Sequence, residues 1–224
     1  MEKFVTFDCY GTLIDWKKGI AENFRRITGA KDSDDTIFKE YVVLEAEEEE
    51  EYVPYKRILE RSFNSLSLKF RIKVNSSQSR DFSESIVRWP PFGDTVQVMK
   101  HLGKNGFRRV ILSNVDRDLL EQTIINSGIE IDGFVTAEDV RSYKPNTAHW
   151  LYFFDHFGAS KENTIHVAGS LYHDIMPAGR LGLKTVWVNR YNETLRNDVR
   201  YDSVIPNLLE LPGLLNRLFG ELNP

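Results

Sequence analysis

Four residues near the start of the chain, Phe4-Val5-Thr6-Phe7, form an apolar run that delivers Asp8 into the turn Cys9-Tyr10-Gly11-Thr12. A run so short and continuous suits a strand buried on both faces, as in parallel sheets. Beyond Leu13 the spacing of apolar positions becomes helical and stays so to about Ser85, with residues 16–27, 36–52 and 55–69 as the main segments. The polar stretch 75–79 reads as a loop. Trp89-Pro90-Pro91-Phe92-Gly93 then ends the helical region, because two prolines cannot continue a helix and bias Trp89 toward extended angles.

From Asp94 onward helix and strand alternate, the pattern of a parallel α/β domain. Helices are expected over 96–104, 116–127, 148–157 and 175–181, and strands over 110–112, 134–135, 164–168 and 185–188. Gly106, Gly128, Gly158 and Gly182 fall where helices should end. The expected organisation is a core domain of residues 1–14 and 91–224, interrupted by a helical cap subdomain of residues 15–90. Paired linkers of this kind allow the cap to close over a site.

Composition narrows the class. A chain of 224 residues with 41% hydrophobic and 28% charged residues is an ordinary globular protein large enough for a sizeable core. No apolar run approaches a membrane span and the first twenty residues carry charges, so a cytoplasmic setting without membrane association is expected. The net charge of −4 with no basic tract excludes nucleic acid as an expected partner. The lone cysteine, Cys9, excludes an internal disulfide, and as the neighbour of Asp8 it should face the opposite side of an extended segment. The acidic run 47–51 reads as a solvated helix face.

Residues able to do chemistry stand at the ends of the expected strands, and open α/β sheets bind ligands at that edge. Asp8 follows the first strand, Ser113 and Asn114 the second, Lys144 lies in SYKPN after the third, and Asp174 lies in AGSLYHDIMPA after the fourth. Taken singly, each has a plain alternative: Asp8, Ser113, Asn114 and Asp174 as caps, Lys144 as a solvated cation.

Together FDCYGTLID, Ser113, Lys144 and the Gly169-to-Asp174 segment resemble the four motifs of the haloacid dehalogenase superfamily, closest to its L-2-haloacid dehalogenase branch. The resemblance spans the chain. It implies a Rossmann-like core with a parallel sheet of order 5-4-1-2-3 flanked by helices, and a hydrolase with Asp8 as nucleophile. It further implies catalytic roles for Lys144 and Asp174, and substrate contacts from Tyr10, Thr12, Ser113 and Asn114. The implied reaction converts a small anionic 2-haloacid into a 2-hydroxy acid through an ester on Asp8.

Phosphatases of the superfamily carry an acid two residues after the nucleophile, where this chain has Tyr10, and another acid where it has Gly169. A phenol is a weak proton donor at neutral pH, whereas halide leaves without one. Metal-free chemistry is therefore expected. The alternatives are a magnesium-dependent phosphatase, with Asp8 and Asp174 holding Mg2+, and a dehalogenase-like hydrolase of a non-halogenated substrate. The halide-binding arginine of the early cap is missing from Ile37-Phe38-Lys39-Glu40-Tyr41, which leaves Lys39 as the expected substitute, with Arg25, Arg26 and Arg57 as other cap cations. Trp150 and Leu171 replace a family Tyr and Asn, and either a monomer or a homodimer is compatible with the sequence.

Overall fold

A strand apolar along its whole length has to be covered on both faces, and β1 (Lys3–Phe7) sits at the middle of a sheet in the computed structural model. The structure describes residues 2–49, 51–195 and 198–222, so Glu50 of the acidic run lies outside the described residues. Helices α1 (Trp16–Thr28), α2 (Asp34–Glu48), α3 (Tyr55–Lys69) and α4 (Ser76–Ser85) follow β1, and then the α/β alternation begins. It runs through α5 (Thr95–Lys104), β2 (Phe107–Ser113), α6 (Arg117–Ser127), β3 (Gly133–Thr136), α7 (Ala137–Val140), α8 (Ala148–Phe157) and β4 (Thr164–Ala168). It closes with α9 (Met176–Arg180), β5 (Lys184–Val188), β6 (Ser203–Ile205) and α10 (Leu211–Leu222).

All the strand pairings are parallel, in the order β3-β2-β1-β4-β5-β6. The expected 5-4-1-2-3 order is present, extended by the short edge strand β6. Because the winding reverses at β1, a crevice opens at its carboxyl end. Phe7 pairs with Ile111 and Val167, so Asp8, Ser113 and Gly169 all emerge at that edge. Val5 and Phe7 pack into the cluster that continues into α1–α4, while Phe4 faces Trp150 and Phe153 of α8 across the sheet.

Several boundaries differ from the sequence expectation. Residues 75–79 begin a helix, because Asn75 and Gln78 form a reciprocal capping box for α4. Helix α2 starts two residues early, capped by Ser33, and stops at Glu48, where further acidic residues would meet the negative end of the helix dipole. A π-helical turn, Leu171–Ile175, precedes α9 in place of one regular helix. Gly128 and Gly158 are left-handed caps as expected.

The two linkers pair with each other. Ile14 bridges Pro91 antiparallel, Asp15 N donates to Pro90 O at 2.8 Å, and Phe92 N donates to Leu13 O at 3.0 Å. Further contacts tie α3 and its neighbours to the sheet domain. Asp116 accepts from Tyr55 N at 2.8 Å and Lys56 N at 2.9 Å, capping α3, and Tyr143 donates to Val53 O at 2.6 Å.

The turn after β1 is braced from behind by a pair the sequence did not announce. Arg190 donates twice to Thr12 O, at 3.1 and 2.8 Å, and forms a two-pronged ion pair with Asp94 at 2.9 and 2.8 Å. Asp94 also accepts from Leu208 N at 2.6 Å. Both side chains are nearly enclosed, at 6% and 9% exposure. Removing one partner of such a pair strands the other charge. Arg190→Leu is expected to cost about 3–5 kcal/mol in urea denaturation, and a loss below about 1 kcal/mol, the scale of an exposed pair, would show that the brace is dispensable.

Candidate active site

Asp8 leaves β1 with its backbone N–H on Val167 O at 3.2 Å, which fixes where its side chain starts. Its Oδ2 accepts from Thr12 Oγ1 at 2.7 Å, and Thr12 Oγ1 in turn accepts from Gly169 N at 2.8 Å. Its Oδ1 accepts from Lys144 Nζ at 2.9 Å. Lys144 Nζ also donates to Asp174 Oδ1 at 2.6 Å and to Leu112 O at 2.8 Å. All three ammonium hydrogens are thus engaged within the protein. Asn114 holds the lysine in place, accepting from Lys144 N at 2.7 Å and donating to Lys144 O at 3.0 Å.

The charges follow from this geometry. Burial alone would lower the Lys144 ammonium, but Asp174 and Asp8 hold its proton more strongly, so its pKa rises and it stays charged. Burial pushes the Asp174 carboxyl up, yet Lys144 and a bond from His166 at 3.1 Å outweigh it and leave Asp174 at about 2. Burial raises Asp8 as well, with Lys144 and Thr12 pulling the other way. Cys9 is buried in the core with its thiol pushed well up by burial and by Asp8, which leaves it inert.

These groups open into a cavity of about 360 Å³ lined by Asp8, Tyr10, Trp16, Ser113, Lys144 and Asp174 among others. The sequence-predicted set Asp8, Tyr10, Ser113, Asn114, Lys144 and Asp174 is therefore brought together, and Thr12 stands behind Asp8. Ser113 is 1% exposed, and among the described residues neither its hydroxyl nor the buried Nε1 of Trp16, which also lines the cavity, has a hydrogen-bond partner. Tyr10 lines the cavity, but its hydroxyl is bonded to Thr123 Oγ1 at 2.8 Å, and burial raises its pKa well above the ordinary value.

Lys39 is a correction. It is exposed on α2 and does not line the cavity. Ile37, Tyr41 and Glu45 are the buried positions of α2, and a residue two beyond Ile37 projects about 200° away around the helix. Arg25 and Arg26 pair with Asp34 and Asp81, and Arg57 faces Glu60 on the surface, so these cap cations are engaged away from the cavity.

The acidic run 47–51 is the second correction: Glu47 and Glu51 are exposed as expected, but Glu49 turns inward, joining Glu45, which lies just before the run. Glu45 and Glu49 line the cavity beside Val42 and Ala46. Glu45 Oε1 accepts from Tyr55 at 2.6 Å and Tyr41 at 3.1 Å, and burial pushes its carboxyl up to about 7. Glu49 lies 3.7 Å from His173 Nε2, and burial followed by repulsion from Glu45 raises it well above the usual range. Burial lowers His173, whose Nδ1 lies 3.2 Å from Ser170 Oγ.

His166 went unnoticed in the sequence. Its signal is the alternation Thr164, His166, Ala168 within a buried strand, which places the imidazole under Asp174 and against Trp150, with Thr6 Oγ1 2.9 Å from Nδ1. Trp150 itself is fully buried in the layer below the sheet.

A family model described as haloacid dehalogenase-like hydrolase matches residues 2–182. The (S)-2-haloacid dehalogenase of Pseudomonas putida is 24% identical over 218 residues, covering 94% of this chain and 95% of its own. Haloacetate dehalogenase H-2 of Moraxella sp. (strain B) is 24% identical over 199 residues, covering 84% and 85%. The L-2-haloacid dehalogenase structure from Xanthobacter autotrophicus superposes with a TM-score of 0.86 at 19% identity, covering 96% of this chain and 99% of that one.

The raised Glu45 carboxyl makes a stability prediction. The folded protein holds this proton more tightly than the unfolded chain, so the contribution is complete at low pH. It is lost as pH rises from about 4, the unfolded value, to the folded value of about 7. Glu45→Gln keeps an oxygen for both tyrosines and carries no charge. Relative to the parent, the variant should gain up to about 3 kcal/mol between pH 4 and pH 8 in urea denaturation. Parallel pH profiles would refute it.

Proposed function

Since the chain belongs to the haloacid dehalogenase-like hydrolases, we propose that it hydrolyses a small 2-haloacid to a 2-hydroxy acid through an ester on Asp8. One observation carries this reading: the Tyr10 hydroxyl is bonded to Thr123, so the position that would protonate a departing alkoxide presents no acid to Asp8. Displacement of halide needs none. In this reading residues 1–14 and 91–224 are the core and residues 15–90 the cap that closes the cavity.

An Asp8 oxygen attacks the carbon bearing the halogen, the new C–O bond forms as the carbon–halogen bond breaks, and the electron pair leaves with the halide. Lys144 orients the carboxylate and offsets its charge, and the unpartnered Ser113 hydroxyl receives the substrate carboxylate. Trp16, with its free indole N–H in the cavity wall, takes the departing halide in place of the missing arginine. Water then adds to the Asp8 carbonyl carbon, and the acyl C–O bond breaks to release the hydroxy acid. Asp174 fixes Lys144 beside the nucleophile. In this reading His173, which lines the same cavity, takes a proton from that water.

Magnesium does not fit this donor set. Asp8 Oδ1 and Asp174 Oδ1 both face the Lys144 ammonium. A third carboxylate at Gly169 is barred, because a Cβ there would lie 2.6 Å from Gly11 O. Among the described residues no group of three or more His, Cys, Asp or Glu is arranged to hold a metal ion.

Single turnover of 2-chloropropionate in water enriched in heavy oxygen should place label in the Asp8 carboxylate, with halide release unaffected by chelator. Asp8→Asn should abolish turnover. Label appearing only in the product, or metal-dependent cleavage of an aryl phosphate without halide release, would sink the reading. A narrower prediction concerns Trp16→Phe, which keeps the shape and removes the donor. Its kcat should fall about 10- to 100-fold, the scale of one hydrogen bond to an ion, and an unchanged kcat would place the halide elsewhere.

A further inference from the structure

Part of the cavity wall is made by the C-terminal half of α2 and the residue that caps it, through Val42, Glu45, Ala46 and Glu49. Tyr41, Glu45 and Glu49 recur every four residues, so their side chains stack along the same stripe. Glu45 is 6% exposed, and the Glu49 side chain is 12% exposed. Both tyrosines that touch Glu45 use the same oxygen, Oε1, which leaves Oε2 outside those bonds. The cavity as a whole sets four carboxyl groups, Asp8, Glu45, Glu49 and Asp174, against one ammonium whose three hydrogens are already engaged. The Ser113 hydroxyl, buried and unpartnered on the sheet side of the same cavity, marks the end that awaits an acceptor.

A molecule lying across this space meets donors at the sheet end and acceptors at the cap end. From this polarity we infer that Glu45 and Glu49 set the substrate class, selecting a short acid whose far end carries a hydrogen-bond donor, a hydroxyl or an ammonium. They reject a second carboxylate at that end. The inference rests on the Asp8 hydrolase reading for which end of the substrate meets the nucleophile. The physical basis is asymmetric: a hydroxyl finds an acceptor whether or not the carboxyls hold their protons, a methyl gains nothing, and a carboxylate meets like charge in a desolvated place.

The test uses two matched series on the full-length protein. Binding of lactate, glycerate and malate is followed by tryptophan fluorescence, since Trp16 lines the cavity. Halide release is measured from 2-chloropropionate, 2-chloro-3-hydroxypropionate and 2-chlorosuccinate, whose hydrolysis products these are. Glycerate should bind roughly tenfold more tightly than lactate, and malate at least roughly tenfold more weakly, the scale of one hydrogen bond gained or one like charge met. The chloro acids should follow the same order in kcat/KM, with the difference in KM. Glu49→Gln and Glu45→Gln should each narrow the lactate-to-malate ratio, because an amide accepts a hydrogen bond without repelling a carboxylate. Malate binding as tightly as glycerate, or ratios unmoved in both variants, would overturn the inference. The two readings fail separately. Ordered binding without halide release removes the dehalogenase reading and leaves the wall as the selector, whereas halide release indifferent to the third substituent does the reverse.

Discussion

One ammonium holds this site together. Lys144 Nζ joins Asp8, Asp174 and the last turn of β2 through Leu112 O, and it lies 1% exposed among them. Two buried carboxylates a few ångströms apart would repel each other, and one would take up a proton, without a cation between them. Burial of Asp8 against Asp174 is possible only on that condition. Asn114 then gains its importance indirectly, because it fixes the lysine backbone through both its amide groups.

Much of this was legible in the sequence. The carboxyl edge of a parallel sheet is fixed by where apolar runs end, so Asp8, Ser113, Lys144 and Asp174 could be placed at one edge from strand endings alone. What could not be read depends on partners distant in the chain. Arg190 looks like any loop arginine until Asp94 and Thr12 O are beside it, and His166 looks like a stray polar residue in a strand until Asp174 is above it. The three-residue edge strand β6 carries almost no periodic signal, whereas α10, with Leu211, Leu215, Leu218 and Phe219 buried at helical spacing, was legible in the sequence.

The misplacement of Lys39 and the misjudged acidic run have one cause. Charge suggested that a cation should face an anionic ligand and that consecutive glutamates should face water. The phase of α2 is set by Ile37 and Tyr41, whose burial in the core outweighs any surface preference. That phase turns Lys39 outward and carries Glu45 and Glu49 inward. Only the helix register, tied to the core by Tyr41 and its contacts with Trp16 and Phe82, could have shown it.

An acidic wall in a cavity that takes an acid is consistent only if the ligand's carboxylate lies at the sheet end, beside Ser113 and Lys144. Desolvation lifts Glu45 to about 7 and Glu49 well above its usual range, because a negative charge is costly in that place, and a second ligand carboxylate would meet the same cost. The place of these glutamates at the C-terminal end of α2 has a double effect. It removes water from around the glutamates, which raises the cost of a further negative charge beside them, and it sets them where a ligand's far end arrives. A lysine ammonium on the sheet side faces two carboxyl groups on the α2 side, and that opposition gives the cavity its direction.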